Sequence, residues 1–201
     1  MKLSLKKLSI SLMLFLCAQT SMVFAQNATT YKIGQSIENF SLFDMNSTRY
    51  ATRNIKAKKM IVLVFISNEC SFPENIITSI NKIHDQNSTE VEIWAVNSFN
   101  PNINPNESEE KMNDYAKLKG LKAPYLVDLG KTVADRFSVK QVPSAVILMK
   151  DAESFSFVYN GAVIETRNGS TYNILEQNIS NLLSGKKANS SVSKNRTCQI
   201  Q

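Results

Sequence analysis

The sequence predicts an α/β domain whose central mixed sheet is covered by helices on both faces. Three observations point to it. Residues 60–66, Met60-Ile61-Val62-Leu63-Val64-Phe65-Ile66, form an unbroken apolar, β-branched run, the pattern of a strand buried on both sides. Strand-like and helix-like segments alternate after it, as expected of a sheet with crossover helices. A closing pair of strands, 145–149 and 155–159, precedes a last helix, and this pair makes the sheet mixed rather than purely parallel.

The elements follow in order. Residues 40–43 and 48–50 flank Asp44-Met45-Asn46-Ser47 and read as an N-terminal hairpin. After the buried strand, Ile76, Ile77, Ile80 and Ile83 recur at helical spacing, which predicts a helix over 71–86. Residues 91–96 are a second strand, and 97–108, with Pro101 and Pro105, a polar loop. A helix over 109–118 stops near Gly120; 125–128 is a short strand and 131–137 a short helix. Tyr172, Ile174, Leu175, Ile179, Leu182 and Leu183 predict the last helix over 171–183. The remainder is rich in Ser, Asn and Lys and carries no periodicity.

The chain's start reads as a secretory signal rather than as fold. Lys2, Lys6 and Lys7 precede an uncharged apolar run over 8–18, and Val23-Phe24-Ala25 forms a cleavage signal. The run is short for a membrane span, so no integral span is expected. Cys17 follows Leu14-Phe15-Leu16 instead of the small residues a lipid-attachment site needs, and reads as part of the run. The expected organisation is a signal peptide over 1–25, a linker over 26–32, one domain over 33–184 and a flexible basic tail over 185–201 that carries Cys198. Export follows, to the periplasm or to the medium. Loss of the three lysines lowers the formal charge from +6 to +3. With Lys186, Lys187, Lys194 and Arg196 in the tail, nothing argues for a nucleic-acid surface.

Two cysteines remain after cleavage, Cys70 and Cys198, and an exported location permits a disulfide. Cys70 ends Ser67-Asn68-Glu69-Cys70, just past the carboxyl end of the buried strand, where α/β folds place their chemistry. Ser71-Phe72-Pro73-Glu74 has the form of a capping box, and a helix N-terminus there favours thiolate over thiol. Glu69 disfavours the thiolate unless it points away. Cys70 is therefore read as a redox nucleophile or as a small buried hydrophobe. His84 lies fourteen residues beyond Cys70 and reads as a surface residue. One histidine and two cysteines give no metal-ligand spacing, and no cofactor is expected.

Gly34, then Phe40-Ser41-Leu42 and Asp44, then Ala123-Pro124-Tyr125-Leu126-Val127-Asp128 and Val142-Pro143-Ser144 complete a pattern with Cys70. On these residues the chain resembles the thioredoxin-like superfamily, and within it the peroxiredoxin-like redoxins of the alkyl hydroperoxide reductase/thiol-specific antioxidant type, over about residues 33–183 plus the tail cysteine. The resemblance implies a thioredoxin-like three-layer α/β/α sandwich with an N-terminal β-hairpin extension. It implies a cis bond before Pro143, a proline facing the active cysteine, and a Val142 backbone that pairs with an extended substrate. It also implies a thiol-dependent oxidoreductase of antioxidant or redox-homeostasis type. Cys70 then attacks a peroxide or a protein or small-molecule disulfide, and an external thiol is the reductant.

Two departures from the family pattern matter. Ser67 replaces the first cysteine of a Cys-x-x-Cys pair, and Ser71 replaces the proline after the second. A local dithiol cycle is therefore impossible. Ser67 is left as a hydrogen-bond donor to the Cys70 thiolate or as a helix-entry cap. The alternative function is a non-catalytic binding module that kept the fold and lost the pair. Cys198 is read as a resolving partner, as half of a structural disulfide, or as an unpaired thiol. From Gly185 the tail reaches at most about 40 Å at ~3.3 Å per residue, enough to cross the face of a small domain.

Overall fold

The computed structural model describes residues 29–71, 75–189 and 197–201. The expected signal peptide and residues 72–74 of the expected capping box lie outside these residues. Strands β1 (Ser36–Ile37), β2 (Ser41–Asp44), β3 (Arg49–Ala51), β4 (Met60–Phe65), β5 (Val91–Asn97), β6 (Tyr125–Val127), β8 (Ser144–Asp151) and β9 (Ser154–Gly161) form one sheet in the order β1-β9-β8-β4-β5-β6-β2-β3. β4, β5 and β6 run parallel; β8 is antiparallel to β4, β9 to β8, and β2 to β6. The N-terminal hairpin thus joins the main sheet through β6. This is the expected mixed α/β architecture.

β4 is central and buried along its whole length, which is why its sequence shows no polar alternation. Its side chains divide between two cores. Met60, Val62 and Val64 face α1 (Asn75–Asn87), which contributes Ile76, Ile77, Ile80 and Ile83, and α4 (Ile174–Leu183), which contributes Leu175 and Ile179. Met112 of α2 (Glu109–Lys119) completes that side. Ile61, Leu63 and Phe65 face α3 (Thr132–Arg136), Phe137, Trp94 and Phe40. Phe137 stacks edge-on against Phe40 and Phe157, and Trp94 against Phe40 and Tyr50, so aromatic packing closes the second face. Helix–sheet–helix layering follows from a strand that has no polar side to expose.

Several ends differ from the sequence reading. Among the described residues α1 begins at Asn75, so Cys70 precedes its first described turn by five residues. The last helix begins at Ile174 with the Asn173 side chain capping the Glu176 amide at 3.0 Å. Thr171 and Tyr172, expected in that helix, instead belong to β11 (Ser170–Tyr172), which pairs with β10 (Glu165–Arg167); Tyr172, expected on its apolar face, is half exposed. Two short strands carry no periodicity signal at all. β7 (Gln141–Val142) pairs antiparallel with β12 (Cys198–Gln199).

Candidate redox site

The site is assembled where β4 leaves the sheet. Ile66 still bonds to β5 through Val96, and the chain then turns at Ser67. Ser67 is buried, and its Oγ accepts hydrogen bonds from the amides of Glu69 at 3.1 Å and Cys70 at 3.0 Å. Its own hydroxyl proton is donated to Glu107 Oε1. Ser67 therefore acts as the cap of the turn that presents Cys70, and its proton is committed away from the sulfur.

Glu107 is the residue that sequence reading missed. It lies in a 3-10 turn (Pro105–Glu107) of the polar loop and is 3 % exposed. Besides the Ser67 hydroxyl, its carboxylate accepts the Asn68 amide at 3.0 Å, the Glu69 amide at 3.4 Å and the Asn97 side-chain amide at 2.7 Å. Asn97 also donates to Tyr125 Oη at 3.2 Å, and Tyr125 donates to Asn68 Oδ1 at 3.0 Å. Burial, and then the Glu107 charge, push the Tyr125 hydroxyl well above its ordinary pKa. The turn before Cys70 is thus bolted to β5 and the 105–107 turn through one buried carboxylate, and to β6 through the Tyr125 hydroxyl. An acid among asparagines and prolines reads as solvated, and only its position after the β5 strand hinted otherwise.

Glu69, the residue that opposed a thiolate, points away. Its carboxylate accepts hydrogen bonds from Asn104 Nδ2 at 2.6 Å and from Asn106 Nδ2, and these bonds hold its pKa below the ordinary glutamate value. Asn106→Ala is expected to remove one of the two bonds that turn the carboxylate away, the Asn104 bond remaining, and so to raise the pKa of reduced Cys70. The carboxylate is open to solvent, which screens its charge, so the rise is a fraction of a pH unit. The pH dependence of Cys70 alkylation by iodoacetamide measures it; an unchanged or lowered midpoint would count against this role for Asn106.

Cys70 is 8 % exposed and disulfide-bonded to Cys198, 128 residues further on, with Cα atoms 6.0 Å apart. The Val142–Pro143 bond is cis. Cys198 pairs with Val142, and Gln199 with Gln141; Ile200 N donates to Lys140 O at 3.0 Å, and Thr197 Oγ1 to Gln141 Oε1 at 3.1 Å. On its other side Cys70 borders a cavity of about 600 Å³ between α1 and α2, lined by Asn68, Ile77, Asn81, Tyr115 and Lys119. The five residues singled out in the sequence, Ser67, Cys70, Val142, Pro143 and Cys198, thus fall around one point, with Ser67 behind it. Arg136 lines a second cavity with Phe40, Asp128 and Thr132. His84 lies well along α1, beside Asp85. Among the described residues no group of side chains could hold a metal ion, and no helix is long and apolar enough to cross a membrane.

Residues 33–162 match the model of the AhpC/TSA family. The chain belongs to that family. It is also similar to the thiol-disulfide oxidoreductase ResA of Halalkalibacterium halodurans, with 24 % identity over 143 residues, 71 % of this chain and 76 % of the relative. Among solved structures, a hypothetical protein of Sinorhizobium meliloti 1021 matches with a TM-score of 0.72 and 22 % identity, covering 86 % of this chain and 95 % of the other. The pneumococcal exposed lipoprotein thioredoxin Etrx1 of Streptococcus pneumoniae matches with a TM-score of 0.53 and 20 % identity, covering 70 % and 97 %. These likenesses establish the thioredoxin-like fold and the redoxin resemblance read from the sequence.

Proposed function

We propose that the protein is an exported thiol–disulfide oxidoreductase that cycles between the Cys70–Cys198 disulfide and the corresponding dithiol. One observation carries the reading: Cys198 reaches Cys70 on a strand laid against Val142, next to the cis peptide bond of Pro143. Membership in the AhpC/TSA family and the similarity to a thiol-disulfide oxidoreductase support the same class. Export rests on the basic start, apolar run and cleavage signal of residues 1–25.

In the reduced protein the Cys70 thiolate attacks one sulfur of a substrate disulfide. The Cys70–substrate bond forms, the substrate bond breaks, and one substrate thiolate leaves. The Cys198 thiolate then attacks Cys70 Sγ; the Cys70–Cys198 bond forms and the second substrate thiolate leaves. The substrate has gained two electrons and the protein has lost them. An external thiol reductant restores the dithiol. Cys70 is the nucleophile, Cys198 resolves, and Val142 with Pro143 holds the substrate backbone. Ser67 and Glu107 are positioning residues. A disulfide substrate is favoured over a peroxide because a backbone edge beside the sulfur serves a polypeptide and offers a peroxide nothing.

The test is consumption of oxidised glutathione or hydrogen peroxide by the reduced protein under a dithiol donor. Disulfide turnover is expected to exceed peroxide turnover, and Cys70→Ser to remove it by at least ~10³-fold. A Cys70→Ser variant that still turns over would overturn the assignment. Dithiol-reduced protein that leaves both substrates untouched would favour the non-catalytic binding module.

A further inference from the structure

The chain's last residues sit where a substrate is expected to sit, and they do so with the geometry of one. Ile200 N donates to Lys140 O, and in an antiparallel ladder hydrogen-bonded pairs recur every second residue. The Cys198–Val142 pair is therefore of the same doubly bonded kind. Side chains two apart on a strand share a face. Cys198 points to Cys70, and Ile200 packs with it against the core that holds Val142 and Phe137. Thr197 holds Gln141 through its hydroxyl.

We propose that residues 197–200 are a tethered copy of the extended, cysteine-bearing polypeptide that the Val142 backbone is expected to hold, and that they displace it strand for strand. This rests on the function proposed above and deepens it. The substrate is a polypeptide disulfide whose attacked cysteine lies in an extended segment, with an apolar residue two positions after it. While Cys70 is bonded to such a segment, the tail is off the edge. When Cys198 attacks Cys70, its strand takes the place of the substrate strand, so formation of the second disulfide and release of the reduced product are one event. Joining the tail to the domain makes its strand an intramolecular competitor, which a free product at low concentration does not dislodge. The oxidised protein is consequently closed to polypeptides, and reduction opens the edge.

The test uses the full chain and a defined probe, the homodisulfide of a synthetic peptide of residues 194–201, against oxidised glutathione. The reduced protein is expected to reduce the peptide disulfide with a kcat/KM at least ~10-fold higher. N-methylation of the peptide amide that corresponds to Ile200, or aspartate at that position, is expected to remove most of that preference. In the protein itself, Ile200→Asp weakens the competitor, so the Cys70–peptide mixed disulfide is expected to accumulate at least ~5-fold more while the fold is kept. Equal kcat/KM for both disulfides, or an N-methylated peptide as good as its parent, would overturn this inference and leave the redox function standing. Failure to reduce either disulfide would overturn both.

Discussion

Cys198→Ser is expected to stop the catalytic cycle halfway. Cys70 of the variant still attacks a disulfide, but the thiol that completes the exchange is gone, and the Cys70–substrate bond persists until an external thiol reaches it. Cys198 is tethered to the domain and meets Cys70 as β12 pairs with β7, whereas a donor at low concentration meets Cys70 only by diffusion. Steady-state turnover should fall by at least ~100-fold, the scale of replacing an oriented intramolecular step by a bimolecular one. Mass spectrometry of the stalled protein should show Cys70 carrying one half of the substrate. Turnover close to that of the parent would mean that Cys198 is structural. The bond stabilises the native state in either case, since closing a 128-residue loop contributes about 5 kcal/mol in the chain-entropy model. Stability alone therefore does not separate the two roles, and the trapped intermediate does.

The largest expected effect on the fold is at Glu107. Glu107→Leu removes the acceptor for the Ser67 hydroxyl, the Asn68 amide and the Asn97 side chain, all at a buried position. At ~1–3 kcal/mol for each donor left unpaired, the loss is about 3–9 kcal/mol. Glu107→Gln keeps one acceptor oxygen but turns its amide towards groups that already donate, so a smaller loss of ~1–3 kcal/mol is expected. Urea unfolding of the oxidised proteins measures both. A Leu variant within ~1 kcal/mol of the parent would show that the buried carboxylate does not brace the turn before Cys70. If the turn is braced as described, the Gln variant should also lose Cys70 reactivity relative to a surface control, because Ser67 is oriented through the same oxygen pair.

The parts of the fold that were legible in the sequence are those where burial imposes a pattern. The continuous run at 60–66, the isoleucine spacing of α1 and the paired strands β8 and β9 each record which faces meet the core. Elements too short to show a period leave no such record. β7 and β12 are two residues each, and their partnership depends on a tail whose composition reads as solvated. The N-terminus of α4 was misread because Tyr172 fits a helical period while it lies on β11, and the Asn173 cap starts the helix after it. At the site, the cysteines and the cis-proline segment stood out by chemistry and resemblance. Glu107, Asn97 and Asn68 did not, since nothing about an asparagine-rich loop announces that it folds inward onto one carboxylate. Ser67 was legible as a position with two readings; its oxygen accepts from the Glu69 and Cys70 amides of its own turn, and its proton goes to Glu107.

The proposed cycle requires that Cys70 and Cys198 form a reversible redox couple in the folded protein. Equilibration of the full chain in glutathione buffers of graded ratio, followed by thiol alkylation under native conditions and mass spectrometry, measures this directly. The expected result is a single two-electron transition that frees Cys70 and Cys198 together, with a midpoint above about −300 mV, while near-ultraviolet circular dichroism stays native. A bond that resists glutathione until the protein unfolds would contradict the account and leave Cys70–Cys198 a structural staple.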